Sequence, residues 1–171
     1  MDLTLLSQLA QILSGIAVVI AIVFGMAQIR QYQQQRLDAA ALELMLSMQD
    51  REFTHAFGLI YPMVDSVGRA ELRALGPEHE DAALALATRF ETVGLLVFRG
   101  SIPISLVEEI VGGAAVILWG KLKPWAAELR AEQKHELLFE WYEWLVDRMI
   151  ERGRPKQIPA YHRCRDWKPP R

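Results

Sequence analysis

The stretch "SGIAVVIAIVFGMAQIRQ", residues 14–31, decides the fold. No charged residue occurs in residues 3–29, and from 16 to 26 a single glycine interrupts the apolar side chains. About 20 helical residues, each rising about 1.5 Å, cross a hydrocarbon core about 30 Å thick. The core helix of a soluble bundle would instead carry polar residues along one face. The stretch therefore predicts a single transmembrane helix over residues 6–28, within a membrane segment of residues 1–29.

A cleavable export signal is the main alternative for this segment. Such a signal needs a basic n-region and a small-residue cleavage site. The N-terminus carries Asp2 and no lysine or arginine before Arg30, and the apolar run ends in "FGMAQ". We therefore expect the helix to remain in the mature protein.

The charges that flank the helix predict its orientation. Arg30 and Arg36 follow it, whereas only Asp2 and the α-amino group precede it. The positive-inside rule then places residues 30–171 in the cytoplasm and the N-terminus outside, with the helix in the inner membrane. The single cysteine, Cys164, excludes an intrachain disulfide and agrees with a reducing compartment.

Three small residues lie at four-residue spacing within the span: Ala17, Ala21 and Gly25. Small side chains at this spacing let two membrane helices approach closely. Alanine is common enough for the pattern to arise by chance, which is the alternative. Self-association through this face is one expected partner interaction, beside contact with the lipid bilayer.

Residues 30–151 predict a small antiparallel helical bundle, so the predicted fold class is all-α. Good helix formers continue from the apolar run to about residue 48, and no useful stretch alternates with period two. The further expected helices are "REFTHAFGLIY" before Pro62, one from Pro77 to Arg99, one opening at Ser105, one restarting at Pro124 and one from about Lys134 to Arg152.

Two details of these helices can be checked in a structure. Ser105 and Glu108 have the spacing of a capping box, and Pro124 is expected to break the helix that they open. The last helix carries an apolar stripe that should pack on the helix ending at Arg99, and this stripe consists of Leu138, Trp141, Leu145 and Met149.

Residues 152–171 form a predicted extended basic tail. They hold seven basic residues against Asp166 alone, whereas residues 30–151 hold 12 basic and 19 acidic residues. Four prolines in the tail exclude a regular helix. Three interpretations stay open: the tail lies on the acidic body, contacts an anionic membrane surface with the help of Trp167, or binds nucleic acid. A net charge of −2 creates no global field for nucleic acid, which makes that partner the weakest of the three.

The sequence contains no enzyme motif that we can identify. It lacks a phosphate-binding glycine loop, a GxSxG elbow, an HExxH helix and paired cysteines. In "PEHED", residues 77–81, a histidine lies among carboxylates, but acids in a first helical turn stabilise the helix dipole without any ligand. No catalytic, metal-binding or cofactor-binding residue and no cofactor is therefore predicted.

Glu91 is the one carboxylate that raises the question of a site. In helical register it shares a face with Leu84, Ala87, Leu95 and Phe98. A carboxylate there must be paired, hydrogen-bonded or neutral.

Glu91 has two interpretations. As a general acid or base it would have a raised pKa and a second acid, histidine or hydroxyl within reach. As a structural group it would meet a backbone donor or an arginine, with Arg130 the expected partner and Arg99 the next. We favour the structural interpretation.

One part of the chain resembles a bacterial family of unknown function. The resemblance is carried by "FETVGLLVFRGSIPISLVEEIVGG" (residues 90–113), then Trp119, Pro124 and Arg130, and then "FEWYEWL" (residues 139–145). It implies an N-terminal membrane helix followed by a small helical domain, and it assigns no catalytic residue.

The sequence thus predicts a membrane-anchored, non-catalytic helical module that acts as a scaffold, sensor or tether for an unknown protein partner. One alternative is a small membrane-bound enzyme, or an enzyme subunit, that uses Glu91. Another is a nucleic-acid tether that uses residues 152–171.

Overall fold

The computed structural model of the protein describes residues 3–153 and 160–169. The parts of the predicted tail at 154–159 and 170–171 lie outside the described residues. The chain divides into two compact units, Met1–Leu44 and Met45–Arg171, and each is described by itself.

The first unit consists of one helix, α1, which runs from Leu3 to Ser47 and ends in the second unit. Its uninterrupted course follows from a sequence without proline up to residue 61. Within the described part of the chain, Ser14–Ser47 is the one stretch long and apolar enough to cross a membrane, and none of its most apolar window is buried. Side chains such as Val19 and Phe24 are 60% and 65% exposed. The predicted long apolar N-terminal helix is confirmed.

The second unit is built from helices throughout its described ranges, as the sequence predicts. They are α2 (Arg51–Ile60), α3 (Arg69–Leu75), α4 (Pro77–Phe98), α5 (Ile104–Ile110), α6 (Gly112–Gln133), α7 (Glu140–Glu151) and α8 (Ala160–Arg163). Helix α4 lies at the centre of the bundle, in contact with α2, α3 and α7, while α6 packs against α3, α5 and α7. The largest fully buried side chains include Trp125, Tyr142, Phe90, Ile60 and Leu72.

Helix α4 has the ends that the sequence predicts. Pro77 is its first residue, and its last turn is followed by Gly100 with a φ of +68°. It is joined to α2 through the N-cap of that helix. Asp50 accepts a hydrogen bond from the N–H of Phe53 at 2.7 Å, and the guanidinium of Arg89 on α4 binds the Asp50 carboxylate.

Pro124 lies inside α6, so the expected break at this residue is wrong. Proline removes the N–H that would bind the carbonyl four residues earlier. The N–H of Ser66 donates to that carbonyl at 3.1 Å, and the N–H of Val67 donates to the carbonyl of Lys121 at 2.8 Å. In return the N–H of Trp125 donates to the carbonyl of Val67 at 3.2 Å. The loop between α2 and α3 thus supplies the hydrogen bonds that the helix cannot make for itself.

The side chain of Lys121 holds the same loop in place. It is 7% exposed, and its ammonium donates to the carbonyl of Met63 and pairs with the Asp65 carboxylate at 3.1 Å. A buried ammonium needs such partners, because an unpaired charge in the interior is strongly destabilising.

The predicted capping box at Ser105 is also wrong. Helix α5 begins one residue earlier, at Ile104, directly after Pro103, whose side chain makes no cap hydrogen bond. Ser105 therefore lies inside the first turn and cannot cap it. The helix expected to continue from there ends at Ile110, and α6 starts separately after Val111, whose φ of −137° is not helical.

Helix α7 begins later than the sequence suggests, and the tail contains a helical turn that the sequence analysis does not predict. Helix α7 starts at Glu140 instead of Lys134, because Lys134 and Phe139 both adopt left-handed backbone conformations, with φ of +51° and +59°, and enclose a turn. In the tail, Ala160–Arg163 form a single helical turn, so the prediction that no regular helix occurs there is wrong for these four residues.

The predicted stripe of the last helix is confirmed in part. Leu145 and Met149 are buried and α7 packs on α4, as expected. Trp141 is half-buried at the edge, and Leu138 precedes the helix. Tyr142 is the residue that is fully buried in the first turn.

Candidate functional site

The N-terminus of α7 is held by a side chain from another helix. Its N-cap residue, Phe139, makes no side-chain cap hydrogen bond, so the first N–H groups of the helix need another acceptor. The Glu91 carboxylate of α4 supplies it. Glu91 Oε2 accepts from the N–H of Tyr142 at 2.8 Å, and the N–H of Trp141 also donates to this carboxylate. Glu91 therefore acts as a cap for α7 from a distance of 51 residues in sequence.

Arg130 of α6 holds the other side of the same turn. Its Nε donates to the carbonyl of Leu138 at 2.7 Å, and its Nη2 donates to the carbonyl of Phe139 at 3.3 Å. Its Nη1 pairs with Glu143 at 2.7 Å. We call Glu91, Arg130 and Glu143 the α7 clamp, because together they bind both faces of the turn that starts this helix.

Arg130 as the ion-pair partner of Glu91 is therefore a wrong prediction. The guanidinium is directed to two backbone carbonyls and to Glu143, and only a weak attraction from Arg130 reaches Glu91. Arg99, the second expected partner, is exposed at the end of α4. The donors that Glu91 meets are backbone N–H groups, the other partner that the structural interpretation allows.

The two carboxyl groups of the clamp have pKa values shifted in opposite directions. Partial burial raises the pKa of Glu91 above its ordinary value, against the hydrogen bonds from Tyr142 and Trp141, and the nearby Glu140 carboxylate adds to the rise. Burial also acts to raise the pKa of Glu143, but hydrogen bonds from Arg130 and Lys123 outweigh it, so that this pKa is lowered.

The face that Glu91 shares with apolar residues lies at the edge of the core. Leu84 and Phe98 are 47% and 58% exposed, and Glu91 itself is half-buried. Ala87, the one fully buried residue of this face, borders the buried face of α4, which carries Ala83, Leu86 and Phe90. This arrangement lets one Glu91 oxygen reach the α7 backbone while the group stays in contact with water.

Three buried aromatic residues meet beside the clamp. The Tyr142 ring stacks on that of Phe90 at a centroid distance of 4.8 Å and contacts that of Trp119, which is tilted, at 4.7 Å. Its hydroxyl donates to the carbonyl of Ala115 at 2.9 Å, which satisfies the polar atom in the core. Burial raises the pKa of Tyr142 well above its ordinary value, so the hydroxyl remains a donor.

Gly94 allows α4 and α7 to approach this closely. A Cβ atom at this position would overlap the backbone carbonyl of Trp141. A lone glycine inside a helix costs about 1 kcal/mol relative to alanine, which is the signal in the sequence that a packing reason exists.

Three aromatic residues meet at the surface beside this contact. The ring centroid of Phe98 lies 4.4 Å from that of Trp141 and 5.7 Å from that of Trp144. Phe98 is 58% exposed, and both tryptophans are half-buried. We call these three residues the aromatic patch. Neither the clamp nor the patch can be derived from periodicity, because each joins residues from separate helices.

The remaining segments singled out by the sequence have ordinary surroundings. In residues 77–81, Glu80 pairs with Arg69 at 2.5 Å and with Arg73 at 2.9 Å, which lowers the Glu80 pKa. No group of three or more potential metal ligands occurs among the residues that the structure describes. On α1, Ala17 and Ala21 are exposed and Gly25 is half-exposed, one helical turn apart.

This architecture defines a class: a small helical body whose chain begins with a long apolar helix and whose helix ends are held by side chains of neighbouring helices. The chain belongs to the DUF4760 family, a domain of unknown function, whose family model matches residues 9–149. The match confirms the expected membership in a family of unknown function. No curated protein and no solved structure matches the chain.

Proposed function

We propose that this protein is a membrane-anchored, non-catalytic helical module that holds a protein partner at the cytoplasmic face of the inner membrane. The exposed aromatic patch is the observation that carries the tethering role. The exposed apolar helix α1 supports the anchoring.

The anchoring follows from the physical character of α1. A continuous apolar surface is unfavourable in water and favourable in a hydrocarbon core. Isoleucine and valine side chains around its middle are more than half exposed, for example Ile20 at 61% and Val23 at 57%. Because Arg30 and Arg36 directly follow the uncharged run of residues 3–29, the positive-inside rule supports a cytoplasmic body.

The tethering role rests on the composition of the aromatic patch. Tryptophan is enriched at the residues that contribute most to protein–protein binding, because it buries a large area at a small cost in entropy. Phe98 and Trp144 meet edge to face and leave part of their rings uncovered. We propose that this surface packs against apolar side chains of the partner protein.

The Glu91 geometry favours a structural role over a catalytic one. One oxygen of this carboxylate is engaged by the backbone of α7, as a helix cap requires. The raised pKa and the neighbouring Glu140 are the observations on the side of the alternative, a small membrane-bound enzyme or enzyme subunit. That alternative would be supported if Glu91→Gln abolished a catalytic activity of the protein while the fold and the binding of the partner stayed unchanged.

The anchoring is tested by fractionation and by topology. The full chain should remain with membranes after alkaline carbonate extraction, and a reporter fused after Arg171 should be active in the cytoplasm. Release of the chain by carbonate would contradict the anchoring. A reporter active only on the outer side would contradict the orientation.

The tethering role is tested by purification of the full chain in mild detergent. We compare the double variant Phe98→Ser/Trp144→Ser with a control, Leu84→Ser, which changes another exposed apolar residue of α4. A protein that co-purifies with the wild type and with the control should be lost from the double variant. Identical sets of proteins with all three chains, each shown to be folded by circular dichroism, would contradict the role of the patch.

Self-association is a second proposed partner interaction. Ala17, Ala21 and Gly25 lie on one face of α1, where a second copy could approach closely. Crosslinking of the full chain in membranes should fall when Ala21 and Gly25 are both changed to leucine. Unchanged crosslinking would contradict this interface.

A further inference from the structure

We infer that residues 160–169 form a lipid-binding segment that attaches to an anionic membrane surface. The inference goes beyond the proposed partner-holding function and rests on the proposed anchoring of α1. We call these residues the tail segment.

The tail segment combines the two kinds of side chain that membrane surfaces attract. Tyr161 and Trp167 are 75% and 67% exposed, and such amphipathic rings partition to the level of the lipid headgroups. Arg163, Arg165 and Lys168 stand against Asp166, which leaves an excess of two positive charges in the segment. Aromatic and basic side chains together suit an anionic interface better than water.

The backbone holds these residues in a short, open arrangement. Ala160–Arg163 form one helical turn, and the N–H of Trp167 donates to the carbonyl of Cys164 at 3.0 Å to close a second turn. Tyr161 lies in the helical turn and Trp167 ends the second turn, so the two rings are six residues apart in the chain. Such a segment can lie flat in a membrane surface without burying unpaired backbone groups in hydrocarbon.

The tail segment itself shows no ion pair with the acidic body in the residues that the structure describes. Within the described part of the chain, neither Arg165 nor Lys168 forms an ion pair, although the body carries many carboxylates. Arg152, the first residue of the predicted tail, does pair with Glu108 of α5 at 3.1 Å, so contact with the body occurs at the start of the tail. The exposed side chains of Arg165 and Lys168 therefore remain available.

The anchoring itself favours a lipid partner. A lipid surface is always close to an anchored chain, which raises its effective concentration over that of a free nucleic acid.

The test uses the full chain and its one cysteine, Cys164, which is exposed in the middle of the tail segment. We attach an environment-sensitive nitrobenzoxadiazole dye to Cys164 and reconstitute the chain into nanodiscs. One set contains phosphatidylcholine alone, and the other contains phosphatidylcholine with 30% phosphatidylglycerol. In the anionic discs the dye emission should shift to the blue, and spin-labelled lipids should quench it. Both effects should reverse in 0.5 M salt.

Charge variants then test whether the basic residues of the tail segment, and not those of the body, cause the association with lipid. Each basic residue near an anionic leaflet contributes a factor of about five to association. Arg165→Gln/Lys168→Gln should therefore lower the ratio of attached to free tail by about 25-fold. The control Arg51→Gln/Lys134→Gln makes the same change of charge on exposed residues of the body and should leave the ratio unchanged.

Each other outcome has a defined meaning. Equal emission in both kinds of disc overturns the inference, and a salt-sensitive blue shift in neutral discs assigns the tail to the acidic body. If added RNA shifts the emission and anionic lipid does not, the tail segment binds nucleic acid and the inference is overturned. Failure of the chain to enter either kind of disc contradicts the anchoring itself, and the inference then falls with it.

Discussion

The α7 clamp makes a specific prediction about the replacement of Glu91. In Glu91→Ala the N–H groups of Trp141 and Tyr142 lose their acceptor. An unpaired buried donor costs about 1–3 kcal/mol, and the low end applies to each group here because Glu91 is only half-buried and water can replace part of the bond. The expected loss is therefore about 2 kcal/mol in the free energy of unfolding.

The Glu91→Gln variant separates the hydrogen bond from the charge. The amide keeps one acceptor oxygen and loses the attraction of a carboxylate to the helix dipole, about 0.3–1 kcal/mol. It also escapes the desolvation that raises the Glu91 pKa. We expect Glu91→Gln to lose less than half of what Glu91→Ala loses at neutral pH.

Thermal unfolding of the full chain in mild detergent, followed by near-ultraviolet circular dichroism, measures these effects. For a chain of this size about 2 kcal/mol corresponds to a fall of about 4–8 °C in Tm. The matched control is Thr92→Ala, which changes the exposed next residue of α4 and should stay within about 0.5 kcal/mol of the wild type.

The double variant Glu91→Ala/Arg130→Met distinguishes the clamp from an ion pair. In an ion pair the second change would recover much of the loss, because it removes the uncompensated charge. In the clamp each residue binds its own side of the turn, so the double variant should be at least as unstable as the worse single one. Recovery in the double variant, or a Glu91→Ala loss below about 0.5 kcal/mol, would refute the reasoning.

Three further predictions follow from the same contacts. Gly94→Ala should lower the free energy of unfolding by about 3 kcal/mol or more, because its Cβ overlaps a backbone oxygen of α7. The control Gly58→Ala has nothing near its Cβ and should raise the free energy of unfolding by about 0.5–1 kcal/mol. Chemical unfolding measures both variants. Tyr142→Phe should cost about 1 kcal/mol, since it removes a buried hydroxyl bonded to a carbonyl of α6; loss of hydrogen-exchange protection around that carbonyl should accompany it. The pKa of Glu143 in the folded state lies below its ordinary value of 4.5, so the stability that Glu143 contributes is present above pH 4.5 and is lost as the pH falls through the folded pKa. The pKa of Glu91 in the folded state is raised instead, so the stability that Glu91 contributes is present below pH 4.5 and is lost as the pH rises through the folded pKa. Unfolding from pH 3.5 to 7 should therefore show the cost of Glu143→Gln shrinking towards acid and that of Glu91→Gln growing, and parallel trends would contradict these assignments.

The fold could be predicted wherever a local pattern has a local cause. The uncharged run in residues 3–29 requires a long apolar helix, and Pro77 and Gly100 mark the ends of α4 through their own backbone preferences. Local signals failed at Pro124 and at Phe139. At Pro124 the missing hydrogen bonds come from a loop more than 50 residues away in the chain. At Phe139 the backbone is left-handed although the residue is not a glycine, and the helix starts only after it.

The candidate site could be predicted only in outline. Sequence alone indicated that Glu91 needs a partner, because a carboxylate beside apolar residues must be satisfied. It could not decide between Arg130 and a backbone donor, since both lie far from Glu91 in the chain. The choice depends on how α4, α6 and α7 pack, and Gly94 permits the close approach that places the Glu91 carboxylate against the α7 backbone.

The sequence by itself determined the composition of this protein's parts: one apolar helix, an acidic all-helical body and a basic tail. These follow from period, charge and propensity, which act over a few residues. Only the tertiary structure decided which groups meet, namely Glu91 with the α7 backbone, Arg130 with Glu143, and Phe98 with the tryptophans. The physical reason is that hydrogen bonds and ring contacts act within a few ångströms, a separation that the packing of helices sets and that the order of residues does not reveal.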